Sequence, residues 1–137
     1  MNLFQVPLQY VERAWRDGAS KLSDAIEKAQ GEVTADQLKM LLTRGERSLI
    51  GIRSGEEVVA WFAVNVVQEP NVRHLYVYAI YAPGATGQEA FGLLAGYAYD
   101  AGCSEIRGAC SDAVLRLWTR KHKAQKLYNV MRIVLKE

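Results

Sequence analysis

Apolar and polar residues recur along this chain with two periods, and each period predicts a type of element. Over residues 8–29 apolar side chains return at spacings of three, four or seven, which predicts one helix with Gly18 as its weak point. Gly31 stands where helices commonly end. A second helix is expected to begin after Thr34, in a capping-box pattern, and to end at Gly45.

Three β-rich runs follow. Residues 48–53 and 58–67 are separated by a short turn at 54–56, so they predict a hairpin. The second run is almost continuously apolar, which indicates a central strand covered on both faces. A third strand is expected over 73–81, bearing three tyrosines spaced like strand residues, of which Tyr76 and Tyr78 share one face.

The rest of the chain alternates between the helical and the extended pattern. In order it predicts a loop at 83–87, a helix over 88–101 ended by Gly102, a strand over 105–109, a helix capped by Ser111 or Asp112, and a last strand over 127–135. The order ααβββαβαβ predicts one α/β domain over 1–137, with a mixed sheet and helices on both faces. The last strand is apolar enough to pair within the chain or with a neighbour, for instance in a homodimer.

Composition is that of a folded soluble protein: 50% of the 137 residues are hydrophobic and 23% are charged. Cys103 and Cys110 lie seven apart in a predicted strand region, so they are expected on opposite faces, unpaired and reduced. No apolar run reaches the roughly 18 residues of a membrane span, and the N-terminus has no signal-peptide pattern. A cytoplasmic protein without membrane contact is the expectation.

Charge is distributed unevenly along the chain. Residues 1–106 hold 9 Lys/Arg and 13 Asp/Glu, a net −4, whereas residues 107–137 hold 8 and 2, a net +6. The basic end favours an acidic protein partner, a phosphorylated cofactor or a nucleic acid, or it simply balances the acidic part. Arg120, Lys121 and Lys123 are the candidate phosphate contacts. His122, within the same run, is interpreted as solvated surface.

The loop before the long helix carries the first candidate site. A helix N-terminus offers unpaired N–H groups to phosphate oxygens, and glycines let the backbone approach. The element order and this loop resemble the GCN5-related N-acetyltransferase (GNAT) superfamily over almost the whole chain, most closely over 73–128. Within that superfamily the chain looks most like the short, divergent GNAT-like proteins of tailed bacteriophages.

The loop nevertheless departs from the family pattern Gln/Arg-x-x-Gly-x-Gly/Ala. Segment 85–90 reads Ala-Thr-Gly-Gln-Glu-Ala, in which Ala90 alone fits, while Ala85 and Gln88 replace the Gln/Arg and the first Gly. Thr86 and Glu89 are also the ends of a second capping-box pattern. A carboxylate at Glu89 stabilises the helix but repels a pyrophosphate.

A second family pattern, Asn-x-x-Ala-x-x-Leu-Tyr-x-x-x-Gly-Phe, aligns with residues 111–123. Leu117 matches its Leu, Trp118 occupies the position of the Tyr, and His122 with Lys123 replaces Gly-Phe. In the family that Tyr often protonates the departing CoA thiolate. An indole N–H donates a hydrogen bond but supplies no proton, so packing is the favoured role for Trp118.

The resemblance implies an acyl-CoA-dependent N-acetyltransferase that transfers acetyl from acetyl-CoA to an amine of a small molecule or a protein. The strand before the loop would part from its neighbour and expose its backbone to the pantetheine arm. The implied cofactor contacts are Tyr78, Ile80, Ala82, Thr86, Gly87, Gln88, Ala90 and Trp118.

Glu69 and His74 are the candidates for a general base. The alternatives are a solvated turn residue for Glu69 and a strand-edge residue for His74. No metal is expected, because the chain has two histidines and no clustered ligands.

Two other functions remain open from the sequence. The altered motifs favour a catalytically inactive GNAT-like protein, such as a phage virion component or a factor that binds a host protein. In that case it would lie in the virion or the host cytoplasm. A nucleic-acid binder comes third, since no recognition motif accompanies the basic charge.

Overall fold

A computed structural model describes residues 1–27, 32–84 and 86–135, which place helices on both faces of one five-stranded sheet. The strands are β1 (Asn2–Gln5), β2 (Ser48–Ser54), β3 (Glu57–Gln68), β4 (Arg73–Tyr81) and β5 (Glu105–Gly108). The helices are α1 (Val11–Asp17), α2 (Ser23–Glu27), α3 (Ala35–Thr43), α4 (Thr86–Asp100) and α5 (Asp112–His122). The predicted α/β class with a mixed sheet is confirmed.

The strands lie side by side in the order in which they occur in the chain. Strands β1 to β4 are antiparallel neighbours, and β5 is parallel to β4 across the α4 crossover. The hairpin predicted for β2 and β3 is present, with Gly55 at φ +64° in its turn. A parallel pair needs such a crossover, which is why the long helix falls between these two strands.

Each face of the sheet has its own hydrophobic core, and β3 contributes to both. Trp61 and Ala63 pack with the helices α1 to α3, whereas Phe62 and Val64 pack on the α4 side. All four side chains are at most 5% exposed. The prediction of a central strand covered on both faces is therefore confirmed.

The helix predicted over 8–29 is instead divided into short pieces. Two 3₁₀ turns, Leu8–Tyr10 and Ala19–Leu22, flank α1, and α2 follows the second. The break falls at Gly18, where an added Cβ would lie 3.3 Å from the indole Nε1 of Trp61. Close packing against the sheet thus interrupts the helix at its weak point. Gly31, its predicted end, lies outside the described residues.

The predicted helix boundaries agree with the structure where side chains fix them. Thr34 accepts a hydrogen bond from the Gln37 amide, and the Gln37 side chain accepts one from the Thr34 amide, which completes the capping box of α3. Ser111 caps α5 by accepting from the Val114 amide. Gly45 and Gly102 follow α3 and α4 with φ of +76° and +83°, which glycine adopts without steric cost.

Strand β1 was not predicted. It pairs with β2, and the ring of Phe4 covers Gly51, so an added Cβ would lie 2.4 Å from the Phe4 Cζ. A short strand of mixed polarity has little periodicity of its own. Its pairing depends on the space that the glycine leaves on β2.

The prediction of a strand over 127–135 is wrong for the single chain that the structure describes. Residues 123–135 have no regular secondary structure, and the large apolar side chains in this segment are exposed. The segment has the composition of a strand, but a strand also requires a neighbour to accept and donate its backbone hydrogen bonds. Within the described chain it has none.

Candidate functional site

Strands β4 and β5 pair over four residues, the whole length of β5. Their paired residues begin at His74 with Glu105 and end at Val77 with Gly108. Strand β4 continues to Tyr81, still bonded to β3, whereas β5 stops at Gly108. Beyond Val77 one edge of β4 therefore has no β5 partner, and this unpaired stretch at residues 78–81 is called the opening below. The parting of the two strands that the resemblance implied stays a prediction.

A β-bulge lies at the same place. Ala63 pairs with Ala79 and Val64 pairs with Val77, so Tyr78 is an extra residue on β4. A bulge increases the local twist and shifts the faces of the residues that follow. Tyr78, Ala79 and Tyr81 consequently all lie on the side of α1 to α3.

A cavity of about 380 Å³ adjoins the free end of β4. It is lined by Ile80, Tyr81, Ala82 and Pro83 from the strand end, and by Lys21, Asp24 and Ala25 from the opposite helices. The Lys21 ammonium lies 5.2 Å from the centre of the Tyr81 ring. Ile80 and Ala82, both predicted cofactor contacts, thus border an open space. A second cavity, of about 430 Å³, lies away from this opening beside β1 and α3.

The start of α4 lies next to the same end of β4. The helix begins at Thr86, and the Gly87 amide donates to the Gly84 carbonyl at 3.3 Å. A Cβ at Gly87 would lie 3.3 Å from the Ala82 carbonyl oxygen, so the chain turns tightly here. The expectation that the Gly87 amide is free is therefore wrong. Gln88 is exposed, whereas the Ala90 side chain is fully buried in the core beneath the helix.

The first turn of α4 is acidic, whereas the last turn of α5, which contacts α4 at Phe91, is basic. Glu89 is the acidic residue of the first turn of α4, where a carboxylate opposes a bound phosphate. The last turn of α5 contains the basic residues Arg120, Lys121 and His122. The His122 ring stacks on Phe91 of α4, with centroids 4.0 Å apart and 23° between planes. The basic end of α5 is thereby held beside the first turns of α4.

Trp118 belongs to the same aromatic cluster. Its ring meets Phe91 edge to face at 5.4 Å and His122 at 5.2 Å. The packing role predicted for Trp118 is confirmed, and its contact with a cofactor stays a prediction. His122 is not the solvated surface residue that was expected. Its position four residues after Trp118, on the same helical face, was the signal that could have indicated this contact.

Glu69 and His74 lie together at the other end of β4. His74 is 3% exposed, and its Nδ1 lies 3.5 Å from the Glu69 Oε1 without a hydrogen bond in the described chain. The Arg107 guanidinium approaches the same carboxylate oxygen at 3.8 Å. His74 precedes Val77 by three residues, about 10 Å of strand, so neither candidate base borders the opening. His74 is the second residue of β4, paired with Val67 and Glu105, and its side chain is buried.

A row of rings connects this pair to the bulge. The His74 and Tyr76 centroids are 6.2 Å apart, and those of Tyr76 and Tyr78 are 4.8 Å apart. The Arg47 guanidinium lies 3.6 Å from the centre of the Tyr78 ring, a contact that no sequence pattern indicated. Burial, and then the Tyr128 phenol, raises the pKa of Tyr76 above 10.0. The Tyr76 phenol is therefore neutral at physiological pH.

Cys103 is buried and Cys110 is exposed, both as free thiols, as expected. Among residues 1–27, 32–84 and 86–135 no three His, Cys, Asp or Glu side chains converge as metal ligands. No helix in the described part of the chain is long and apolar enough to cross a membrane.

Comparison with known proteins gives a consistent fold. No protein-family model and no curated protein sequence matches the chain. Solved structures do: a ribosomal-protein-alanine N-acetyltransferase from Brucella melitensis biovar Abortus 2308 has a TM-score of 0.66 at 16% identity, over 98% of both chains.

Two further structures agree. An aminoglycoside acetyltransferase from an uncultured soil metagenomic sample has a TM-score of 0.67 at 11% identity, over 98% of this chain and 96% of its own. A probable acetyltransferase has a TM-score of 0.68 at 13% identity, over the full length of both chains. With its five-stranded mixed sheet and helices on both faces, this chain has the fold of the GNAT acetyltransferases.

Proposed function

We propose that this chain is an acetyl-CoA-dependent N-acetyltransferase. The observation that carries the proposal is that the pairing of β4 with β5 ends at Val77 and Gly108, so that the last residues of β4, next to the bulge at Tyr78, have no partner on that side. Unpaired strand backbone inside a protein is costly unless something bonds to it. An extended ligand with amide groups, such as a pantetheine arm, has the groups to do so.

The residues around the opening fit such a ligand in part. The backbone of Tyr78, Ile80 and Ala82 offers donors and acceptors along one wall, and the cavity beside them is of ligand size. The start of α4 gives the positive end of a helix dipole for a pyrophosphate. Because the Gly87 amide is already bonded, the amides of Thr86 and Gln88 carry this role in the proposal.

The basic end of α5 adds positive charge beside α4. The stack of His122 on Phe91 holds the last turn of α5 against this helix, and in the proposal Arg120 and Lys121 of that turn are further contacts for the cofactor phosphates. This contact supports cofactor binding by a loop that lacks the family sequence. Acetyl-CoA would supply the activated acyl group, and the protein would mainly position the amine.

Proton removal from the amine is assigned to Glu69 and His74 only through water. About 10 Å of strand separates His74 from the opening, so a direct contact with the amine is not proposed. Trp118 supplies no proton to a departing thiolate. We therefore propose a slow transferase whose rate depends on positioning. The acceptor, a small molecule or a protein, and the narrower kinship with bacteriophage proteins stay predictions from the sequence.

Thermal unfolding with and without millimolar acetyl-CoA tests the proposal. A ligand at 100 times its Kd adds about 2.7 kcal/mol, which raises the Tm of a domain of this size by on the order of 10 °C. Gly87→Asp places a carboxylate at the phosphate site and should abolish the rise. Gly96→Asp, on the same helix where an added Cβ meets nothing within 4 Å, is the matched control and should keep it.

If acetyl-CoA does not raise the Tm of the unaltered protein, cofactor binding is refuted. The remaining candidates would then be a GNAT-shaped protein that binds a partner without catalysis, or a nucleic-acid binder. Salt-dependent binding to a random RNA oligomer distinguishes the second of these from the first.

A further inference from the structure

The cavity of about 430 Å³ beside β1 and α3 has a mostly apolar lining with one charged residue. Val11, Leu42 and Leu49 contribute core side chains to it, each at most 1% exposed, and Leu8 contributes an exposed one. Ligand sites in proteins commonly have volumes of about 300–1,000 Å³ and an apolar lining with a few polar groups. This cavity therefore has the size and the lining of a site for a small, mainly apolar molecule.

Arg47 is the charged residue of the lining, and its guanidinium has no acidic partner. The central carbon of the group lies 3.6 Å from the centre of the Tyr78 ring. Arg47 forms no salt bridge with any residue that the structure describes. Its guanidinium and the hydroxyl of Ser48, also in the lining, form no hydrogen bond there either. The carboxylate of the neighbouring Glu46 approaches Arg44 instead, at 4.0 Å.

Unused donors beside an apolar lining favour an organic anion. A guanidinium that lies on a ring keeps its N–H groups, which are in its own plane, for acceptors at its edge. Two of these N–H groups match the two oxygens of a carboxylate. Arg47 and Ser48 are both partly buried, where an unpaired polar group is costly. A carboxylate would pair with them, whereas an amine would be repelled.

We propose that this cavity binds a small monocarboxylate with a hydrocarbon body, and that Arg47 holds its carboxylate. The hydrocarbon part lies against the apolar lining, which includes Val6, Pro7 and Leu8. The cavity is separate from the opening, and the inference does not rest on the proposed acetyl transfer.

Calorimetric titration of the intact chain tests the proposal. Hexanoate and phenylbutanoate are the probes, and hexanol and hexylamine are the uncharged and the cationic counterparts of hexanoate. At least one carboxylate should bind about ten- to a hundredfold more tightly than hexanol, because hydrogen bonds to a charged group are added to the same apolar contact. Hexylamine should not bind. The preferred carboxylate shows whether the cavity takes a flexible chain or a ring.

Arg47→Met keeps an unbranched side chain and removes the charge. It should raise the Kd of the carboxylate about ten- to a hundredfold and leave that of hexanol nearly unchanged. A collapsed cavity would weaken both ligands, so the comparison separates the two causes. Arg44→Met is the matched control, because Arg44 is 61% exposed, pairs with Glu46 and lies outside the lining. It should bind the carboxylate as the unaltered chain does.

Leu8→Asn tests the position of the hydrocarbon part. It should weaken the carboxylate and hexanol alike by about three- to tenfold, since it removes apolar surface from the lining. Leu127→Asn is its control. Leu127 has the same exposed fraction, 56%, but lies outside the lining, so binding should not change.

Three results would overturn the proposal. One is that neither carboxylate binds at millimolar concentration. Another is that hexanol or hexylamine binds as tightly as the carboxylates. The third is that Arg47→Met weakens binding no more than Arg44→Met does. If Arg47→Met does not fold, Arg47→Lys replaces it, and the loss of the planar fork should still weaken the carboxylate and spare hexanol. Acetyl-CoA is absent from every titration, so the result is independent of the test of acetyl transfer.

Discussion

Val77 and Gly108 are the last pair of residues that joins β4 to β5, and the proposed site lies beyond this pair. An added Cβ at Gly108 would lie 3.2 Å from the Val77 carbonyl oxygen, closer than most real Cβ contacts. A glycine therefore lets the strands approach at the point where they part. The geometry of the opening depends on how closely this pair approaches.

Gly108→Ala should lower stability by about 1–3 kcal/mol, because the added methyl group presses on strand backbone that cannot easily move. It should also reduce the acetyl-CoA thermal shift by moving one wall of the opening. Gly96→Ala makes the same change in open space on α4 and should stabilise by about 0.5–1 kcal/mol. Urea unfolding measures both effects. Equal stability of the two variants would contradict the tight contact.

Glu89→Gln should strengthen acetyl-CoA binding two- to fivefold, since it removes an exposed charge interaction worth about 0.3–1 kcal/mol beside the phosphate site. The same change should slightly lower the Tm without ligand, because the carboxylate stabilises the helix start. Calorimetric titration gives the affinity. Asp100→Asn, at the other end of α4, is the control and should leave the affinity unchanged. Weaker binding by Glu89→Gln would place the phosphates elsewhere.

Trp118→Tyr should raise the rate of acetyl transfer, because a phenol can protonate a departing thiolate and an indole cannot. General acid catalysis contributes about 10²–10⁴-fold, and an imperfectly placed phenol should give at least the lower part of that range. Release of the CoA thiol with a panel of primary amines measures the rate. Trp118→Phe keeps the ring contact with Phe91 but adds no acid, so a similar gain there would disprove the explanation.

Gly51→Ala should destabilise the fold by about 1–3 kcal/mol, because its methyl group would overlap the Phe4 ring, 2.4 Å from Cζ. Combining it with Phe4→Ala should remove most of the added cost. A double-mutant cycle by chemical unfolding therefore should show a coupling of about 1 kcal/mol or more between the two sites. Additive effects would mean that β1 does not pack on β2 through this pair.

Local chemistry was enough to predict several elements. The Thr34 capping box, the Ser111 cap and the glycines at 45 and 102 act through hydrogen bonds and backbone angles within a few residues, so the sequence contains the whole interaction. The apolar run of β3 likewise requires burial on both faces wherever the strand lies. These features gave the α/β class and the order of most elements.

The site was predictable only in outline. A parting of β4 from β5 was implied by a resemblance, and two of the cofactor contacts that it implied, Ile80 and Ala82, line a cavity at the end of β4. The bond that occupies the Gly87 amide, the Arg47 contact with Tyr78 and the stack of His122 on Phe91 were not predicted. Each of these joins residues that are distant in sequence or depends on one turn's conformation.

The sequence by itself determined the ends of α3, the end of α4, the start of α5 and which strand is central, because those features depend on near neighbours and on hydrophobicity. Tertiary structure decided the rest. It created β1 by setting Phe4 over Gly51, broke the first helix against Trp61, and left 127–135 without a partner. The preference of a residue for extended backbone is a local property. A strand forms only where the edge of another strand lies within hydrogen-bonding distance, and that distance is set by the folded chain.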